Sequence, residues 1–498
     1  MSMNSLVNEK KLKRHHMEEK NDESDINIYD LPDHVLALII SFLPTKEAIR
    51  TSLVSKRWQH LWKDISKIDL KEEYRGIQLF REFVSKLLVV SDCLNITKFS
   101  FSCYVRENAT KVNEWLCGFI NPGIEELSLD LELIEKPLVF PHHLFTFARL
   151  TKFHLNMDHI LDLPSSIFLP SLRSLSLKNI IFPDGSSADR LFSGCPSLEE
   201  LTLIYCNWMN VEAITISSPL LQKVVIRDYK YDDDDDYDDD DDDGSDYQSD
   251  EEDEEDDDGI GSQNGSKCCE IVVGGTNLKS FSYGGFPGND YSLLSSNSVI
   301  EATINIDSPH DWFDDNDWEP LKDAGCFVSS LLEKLSCVER LRITETTFWV
   351  LRIRESLLWD VPVFSNLVEF RLFSDSPSEL SYEPLLEMLK KTPCLQVISF
   401  ENGVYMPIDR ANMDPLPMCF KTHLKTIRIR DCRGLEEDLH GIKILLQSAM
   451  VLKTLHVRCR LYTLDKYSGT KKEVNTTEVY EKIAKFPRAS VDCELEFD

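Results

Sequence analysis

Histidine and cysteine are the side chains that could bind a metal ion or attack a substrate in this chain, and their spacing argues against both roles. The adjacent pairs His15-His16 and His142-His143 stand far apart, and the 14 cysteines contain no C-x-x-C pair of the kind that structural zinc sites use. The chain also lacks G-x-S-x-G, H-E-x-x-H and G-x-x-x-x-G-K-[ST] motifs. The sequence therefore predicts a non-catalytic protein with no metal and no cofactor.

Basic side chains recur in the C-terminal half at matching positions of a repeated pattern φ-x-x-φ-x-φ, where φ is apolar. Because strand side chains alternate, the residues beside the second φ and after the third point to one solvent-facing side. Guanidinium groups arranged across neighbouring strands suit a carboxylate-rich or phosphorylated protein. We predict a substrate-binding surface formed by Arg340, Arg342, Arg371, Arg428, Arg430, His456 and Arg458. Ordinary surface charge with local ion pairs, for example around Glu369, is the alternative interpretation.

The apolar pattern extends along most of the chain and predicts the elements that position these residues. Its copies begin at Ile65, Ile96, Ile124, Leu150, Leu172, Leu198, Leu221, Leu278, Val299, Val338, Leu367, Leu395, Leu424 and Leu452. Helical stretches separate many of the copies. Repeats with the spacing of these copies form parallel strands on a concave face and helices on a convex face. We therefore predict an α/β fold, a leucine-rich-repeat solenoid.

The sequence pattern of residues 26–63 predicts a small helical unit ahead of the repeats. Asp30-Leu31-Pro32-Asp33 is typical of a helix start, Thr45 can cap a second helix and Ser55 a third. The first helix is apolar on nearly every side, and a unit of roughly forty residues has only a marginal core of its own. The unit is therefore expected to bury its surplus apolar surface against a partner.

Residues 28–62 resemble the F-box, through Leu31-Pro32-Asp33, Phe42–Ala48 and Val54–Trp58. In that family the motif docks onto a Skp-family adaptor, which tethers it to a cullin–RING ubiquitin ligase. The resemblance implies a set of residues that face the adaptor or fix the surface that does. These residues are Leu31, Pro32, Ile39, Leu43, Pro44, Val54, Lys56 and Trp58.

Most of the remaining chain resembles plant F-box proteins that pair leucine-rich repeats with a C-terminal FBD region. The residues that carry this resemblance are Leu191–Leu201, Ile216–Pro219, Leu445–Lys453 and Phe486–Ser490. Val491 departs from the family, which usually has Pro there. The implied domains are a disordered tail at 1–25, an F-box at 26–63, repeats at 64–410 and an FBD region at 411–498 that continues and caps them.

The formal charge of −32 is concentrated in one segment. Between Tyr231 and Asp258 there are 21 acidic residues and no Lys or Arg, which predicts a disordered acidic loop at 230–267. The remaining chain is not cationic, so a nucleic-acid partner is not expected, and no apolar run is long enough to cross a membrane. Scattered cysteines and a polar N-terminus predict an intracellular protein of the nucleus, the cytoplasm or both.

These features predict the substrate-recognition subunit of a Skp–cullin–F-box ubiquitin ligase. The helical unit would bind the adaptor, and the repeats would bind a protein substrate whose identity the sequence does not give. Two alternatives use the same architecture. The first is a binding scaffold that does not lead to degradation, and the second is a ligand-dependent small-molecule sensor.

Overall fold

A computed structural model describes most of the chain. The described residues are 28, 31–73, 76–89, 95–106, 108–208, 210–228, 269–294, 296–307, 319–353, 360–373, 382–404, 406, 413–464 and 471–498. The tail at 1–25 and the acidic loop at 230–267, both predicted to be disordered, lie outside the described residues.

The N-terminal unit consists of short helices joined by prolines. Helix α1 spans Asp33–Ser41 and α2 spans Thr45–Arg50, and each follows a proline, which suits a helix start. The prediction of a third α-helix capped by Ser55 is wrong. Two 3₁₀ segments, Thr51–Leu53 and Trp58–Asp64, take its place, and no side-chain cap begins either of them.

A sheet of 15 strands forms the body of the molecule, and its neighbouring strands are parallel. In spatial order the strands are β1 (Lys67–Lys71), β2 (Lys98–Arg106), β3 (Glu126–Ile134), β4 (Lys152–Ile160), β5 (Ser174–Ile181), β6 (Glu200–Ile204), β8 (Lys223–Arg227), β10 (Ser280–Gly284), β12 (Glu301–Asn305), β13 (Arg340–Thr344), β14 (Glu369–Phe373), β15 (Val397–Phe400), β16 (Thr426–Cys432), β17 (Thr454–Cys459) and β20 (Glu494–Phe497). Each predicted copy of the apolar pattern begins two residues before one of these strands. The predicted leucine-rich-repeat solenoid is confirmed.

Helices connect many of the strands and cover one face of the sheet. They are α3 (Ile77–Leu88), α4 (Ala109–Phe119), α5 (Gly185–Ser193), α6 (Glu319–Lys334), α7 (Glu345–Ile353), α8 (Tyr382–Lys390), α9 (Met418–Thr422), α10 (Glu436–Ser448) and α11 (Thr476–Ala484). The packing of α4 on β2 is representative: the Phe119 ring stacks on Phe99, and Trp115 meets Phe101 edge-on. These alternate residues of β2 face the core, so Ser100 and its equivalents line the opposite, concave face.

A second sheet lies in the middle of the array. Strands β7 (Ala213–Ser217), β9 (Glu270–Gly274) and β11 (Asp290–Leu293) pair in the order β11-β9-β7. Their apolar side chains join the same core as the main sheet. This sheet forms part of the connections between β6 and β12, where many other connections of the array are helical. Near the C-terminus, β18 (Tyr462–Leu464) and β19 (Lys471–Glu473) form a separate antiparallel pair.

The helical unit is attached directly to the first strand of the solenoid. The backbone N–H of Asp69 in β1 donates a hydrogen bond to the Thr45 hydroxyl at the start of α2, over 2.7 Å. Thr45 is buried at this junction. A partly buried hydrogen bond of this kind favours the attached arrangement, because the Thr45 hydroxyl that accepts it is buried. The unit therefore lies at one end of the sheet in a defined place.

Candidate protein-binding surfaces

The helical unit has a small core of its own, separate from that of the solenoid. Leu36 and Ile40 of α1 are fully buried there with Ala48 of α2, and Trp58, Leu61 and Ile65 complete the cluster. Apolar residues one turn apart on α1 thus face inward. The rest of the apolar surface of α1 cannot enter so small a core.

Large apolar side chains of the unit therefore remain exposed to solvent, and five of them lie within residues 38–54. They are Leu38, Phe42, Leu43, Leu53 and Val54. Phe42 is 79% exposed and Leu53 is 85% exposed, whereas side chains of these types are usually buried. Grouped exposure of this kind marks a protein-binding surface in soluble proteins. We call these five residues the apolar surface of the unit.

The predicted adaptor-binding residues divide into a surface set and a support set. Pro32, Leu43, Pro44, Val54 and Lys56 are exposed. The support set comprises Leu31 and Ile39, which are half-buried against the small core, and Trp58, which is buried in it. Sequence reasoning did not single out Leu38, Phe42 and Leu53. The four-residue spacing of Leu38 and Phe42 on an all-apolar helix was the available signal.

An ion pair ties the end of the unit back to its beginning. The Arg57 guanidinium lies 2.7 Å from the Asp33 carboxylate in the first turn of α1. Arg57 also donates a hydrogen bond to the carbonyl oxygen of Leu31. Both groups are partly exposed, so the pair contributes at most about 1 kcal/mol to stability. Its geometric effect is to hold the segment before Trp58 against the start of α1.

The second predicted surface lies on the concave face, where the parallel register places the basic residues in rows. Arg342, Arg371, Arg428 and His456 occupy equivalent positions on β13, β14, β16 and β17, with Ser399 of β15 between them. Arg340 lies in the neighbouring row, opposite Glu369 of β14. The sheet thus brings residues that are 114 positions apart in sequence, Arg342 and His456, into one line.

Carboxylates partly neutralise these rows. Glu369 binds two arginines through one oxygen, Arg371 at 2.8 Å and Arg428 at 3.4 Å. The remaining pairs are Arg340–Glu301 at 3.3 Å, Arg430–Glu401 at 2.9 Å and His456–Glu496 at 2.8 Å. Exposed pairs of this kind are weak and break readily when a better ligand arrives. Local pairing, the alternative interpretation of the sequence, thus describes part of this surface.

Two of the arginines have no carboxylate within ion-pair distance in the described part of the chain. Arg342 places its guanidinium carbon 4.2 Å from the ring centroid of Phe373, and Arg458 is exposed near the end of β17. A guanidinium stacked on an aromatic ring keeps its hydrogen-bond donors available at its edge. Arg342 also lines a concave cavity of about 250 Å³ together with Arg340, Arg371 and Thr303. Glu301 and Glu369 line the same recess, so the C-terminal half offers a recess with three arginines and two glutamates in which Arg342 has no ion-pair partner among the described residues.

The N-terminal half of the concave face has a different character. A trough of about 260 Å³ is lined by Lys98, Glu126, Lys152 and His154. Burial raises the pKa of Glu126, but hydrogen bonds and charges from Lys98 and Lys152, at 3.1 and 3.4 Å, outweigh it and lower the net pKa. The pKa of His154 is also lowered, in this case by burial, which disfavours the charged imidazolium. A ring nitrogen of His154 contacts the Ser176 hydroxyl. This internally paired trough leaves little charge for a ligand.

Several buried thiols of the solenoid are poorly suited to nucleophilic chemistry. Burial raises the pKa of the Cys195 and Cys206 thiols to about 12 and that of Cys419 to about 11, so these thiols are poor nucleophiles near neutral pH. Among the residues that the structure describes, no group of three or more His, Cys, Asp or Glu side chains could hold a metal ion. Within the same residues, no helix is long and apolar enough to span a membrane.

Comparison with known proteins identifies both parts of the chain. A family model for the F-box domain matches residues 28–69. A second model, for the leucine-rich repeats of FBD-associated F-box protein At5g56370, matches residues 112–235. The first match covers the helical unit with its apolar surface and the first residues of β1. The second covers the solenoid from α4 to the end of β8 and a few residues beyond.

Relatives from Arabidopsis thaliana align with this chain, two of those described here over 94% of its length. F-box/FBD/LRR-repeat protein At5g56420 is 25% identical over 94% of this chain and 98% of its own length. F-box/LRR-repeat protein At2g42730 is 22% identical over 94% and 96%, respectively. F-box/LRR-repeat protein At3g26922 is 28% identical over 57% of this chain and 83% of its own length. The chain is therefore similar to plant F-box proteins with leucine-rich repeats, among them one that also carries an FBD region.

Proposed function

We propose that this protein is the substrate-recognition subunit of a Skp–cullin–F-box ubiquitin ligase. The observation that carries the proposal is the apolar surface of the unit, which lies within residues matched by the F-box model. An F-box indicates binding to a Skp-family adaptor. The exposed Phe42 and Leu53 are the large apolar side chains that such an interface would bury. In this proposal, Leu31, Ile39 and Trp58 fix the backbone that presents them.

The concave face would bind the substrate protein. The recess around Arg342 and the adjoining rows suit a segment rich in carboxylates or phosphate groups, since guanidinium binds such groups through two hydrogen bonds. Four arginines and His456 share four carboxylates, whereas Arg342 and Arg458 have no ion-pair partner among the described residues, so these two guanidinium groups can bind a ligand directly. An incoming acidic ligand would exchange the weak internal pairs for its own.

The mechanism would be proximity without catalysis by this chain. A substrate held on a solenoid that is attached to the adaptor has a high effective concentration near the ubiquitin-charged enzyme. A ligand-dependent small-molecule sensor on the same architecture is one alternative. A binding scaffold that does not lead to degradation would use the same surfaces. Only an experiment on the fate of the bound protein distinguishes it from a ligase subunit.

The test of the proposed function is the fate of the bound protein. Affinity purification from plant cells should recover a Skp-family adaptor and a cullin with the wild-type chain. A Phe42→Asp variant should lose both while it retains the substrate. Proteasome inhibition should increase the amount of that substrate recovered with the wild-type chain by several-fold. A bound protein whose level does not respond to the inhibitor or to the variant would indicate a scaffold instead.

The substrate class has a separate test. We expect an Arg342→Ala, Arg428→Ala double variant to bind a pool of phosphoserine-containing acidic peptides about tenfold more weakly than the wild-type chain, because two guanidinium partners are lost. Fluorescence anisotropy at low and high salt measures this affinity, and salt should reduce the difference. Arg173→Ala, which removes an exposed arginine paired with Glu199, is the matched control. Equal binding by all three proteins would contradict the proposed recess.

A further inference from the structure

Two cysteines face each other across neighbouring strands near the C-terminal end of the sheet. Cys432 is the last residue of β16 and Cys459 the last of β17, and their Cα atoms are register partners. Cys432 is 0% exposed and Cys459 is 7% exposed. Neighbouring strands lie about 4.8 Å apart. This separation falls within the range of about 4.4 to 6.8 Å between the Cα atoms of disulfide-bonded cysteines.

A backbone irregularity brings the two thiols together. Ile429 is paired with Val457, so regular pairing would place Asp431 opposite Cys459, but the register shifts before Cys432. The extra residue is accommodated at Asp431, whose φ of 55° lies in the left-handed region that non-glycine residues rarely adopt. Bulges of this type redirect side chains and recur at functional positions. Here the bulge is what places sulfur opposite sulfur.

Neighbouring interactions hold the bulge in place. The Asp431 carboxylate pairs with the Arg460 guanidinium at 3.1 Å, and the Arg460 backbone N–H donates to the Cys432 carbonyl at 3.0 Å. On the other strand, the Cys459 backbone N–H donates to the Tyr480 hydroxyl at 3.2 Å. Both cysteine backbones are therefore fixed in the paired arrangement by residues outside the regular ladder.

The environment makes the two thiols unequal. A hydrogen bond between them lowers the pKa of Cys459 and raises the pKa of Cys432, and burial raises the latter further. The Tyr480 hydroxyl also lowers the pKa of Cys459. Cys459 is thus the thiol that more readily forms the nucleophilic thiolate, and Cys432 is the neighbour that can resolve its oxidised form.

We propose that Cys432 and Cys459 form a reversible oxidation site that closes to a disulfide in the presence of a hydroperoxide. The Cys459 thiolate attacks one oxygen of hydrogen peroxide, the O–O bond breaks, and a sulfenic acid and water are formed. The Cys432 sulfur then attacks the Cys459 sulfur and displaces a second water. Two thiols lose two electrons and two protons, and one peroxide is reduced to two waters.

The disulfide would link the two strands that carry the C-terminal part of the basic rows. Arg428 and Arg430 lie on β16, and His456 and Arg458 lie on β17. A covalent link between positions already in register needs little backbone movement and limits strand separation. The site would thus fix this part of the concave face under oxidising conditions. This inference does not depend on the proposed ligase function.

The test uses the full-length chain treated with a few equivalents of hydrogen peroxide under native conditions. Free thiols are blocked with iodoacetamide, disulfides are reduced, and the released thiols are labelled with N-ethylmaleimide. A protease that spares arginine is needed, because arginines closely flank both cysteines. Mass spectrometry should show both cysteines labelled to the same extent, and dithiothreitol before blocking should abolish the label.

Variants define the roles of the two thiols. Cys432→Ser should leave Cys459 as a sulfenic acid that dimedone traps, with no disulfide formed. Cys419→Ser, at a buried thiol elsewhere in the array, should leave the Cys432–Cys459 disulfide unchanged. The proposal is overturned if both thiols stay reduced while the exposed Cys117 is oxidised, or if Cys459 links to another cysteine. The wild-type measurement decides the question even where a serine variant does not fold.

Discussion

We expect a Phe42→Asp variant to bind a Skp-family adaptor about 100-fold more weakly than the wild-type chain. The Phe42 ring is 79% exposed beside the small core, so in the proposed complex the adaptor would bury it. A carboxylate at that position loses the apolar contact and adds a charge that must be desolvated. A 100-fold loss corresponds to about 2.7 kcal/mol of binding free energy. Titration calorimetry with purified adaptor measures it.

The matched control is a second exposed phenylalanine on the same chain. Phe168 is 57% exposed but belongs to the solenoid, outside the residues that the F-box model matches. A Phe168→Asp variant should bind the adaptor with wild-type affinity, and both variants should keep the wild-type circular dichroism spectrum. If the two substitutions weaken binding equally, the apolar surface of the unit is not the docking site.

A second large effect is expected from Asp228→Ala, which should lower the free energy of unfolding by about 3 kcal/mol. Asp228 is a buried carboxylate just after β8 that accepts hydrogen bonds from Tyr283 at 3.0 Å, Tyr291 at 2.6 Å and the backbone N–H of Gly288 at 3.2 Å. Alanine leaves these donors buried without acceptors, at about 1 to 3 kcal/mol for each group that stays unsatisfied. Urea denaturation monitored by circular dichroism measures the change.

The pH dependence of that effect has a definite sign. Burial raises the pKa of Asp228 above its ordinary value, and the hydrogen bonds from Tyr291, Gly288 and Tyr283 offset only part of the increase. A raised pKa means that the carboxyl group stabilises the fold most below its ordinary pKa and less as pH rises through the raised one. The stability difference between wild type and Asp228→Ala should therefore shrink as pH rises. A difference that grows would contradict the raised pKa.

Tyr291→Phe provides the control for this site. It removes one donor and leaves the carboxylate with the Tyr283 hydroxyl and the Gly288 N–H, so it should cost about 1 kcal/mol. A loss as large as that of Asp228→Ala would mean that the Tyr291 hydrogen bond accounts for the whole effect and that the other two donors contribute little.

The repeat array could be predicted from sequence because each strand places its apolar residues at fixed positions. Every copy of the pattern, from Ile65 to Leu452, precedes a strand by two residues. The last strand, β20, was missed because Asp492 stands where the first apolar residue of the pattern would be. An edge strand with only one neighbour can dispense with that buried position, so pattern matching fails there.

The second sheet could not be predicted for a different reason. Strands β7 and β9 are neighbours in space, yet the whole acidic segment separates them in sequence. Their lengths of five residues and simple alternation fit a strand in any sheet. Pairing between distant segments depends on how the surrounding repeats stack, and local propensity does not contain that information.

The binding residues were predictable as residue types but not as contacts. The F-box resemblance selected Leu43 and Val54, which are exposed, and Trp58, which supports them from inside. On the concave face, the alternation of strand side chains selected the arginines. It did not show that Glu369 binds two of them or that Arg342 stacks on Phe373, because those contacts depend on side-chain rotamers across several strands.

The junction between Thr45 and Asp69 sets the distance between the helical unit and each strand of the solenoid. Because the helical unit is attached to β1 and strands follow at about 4.8 Å intervals, a ligand on β13 lies roughly 40 Å along the arc from the unit, and one on β17 about 60 Å. In a ligase, the position of the basic rows along this arc would determine which lysines of a bound protein come within reach of the ubiquitin-charged enzyme. Inserting or deleting one repeat between β1 and β13 would shift that choice without altering either binding surface.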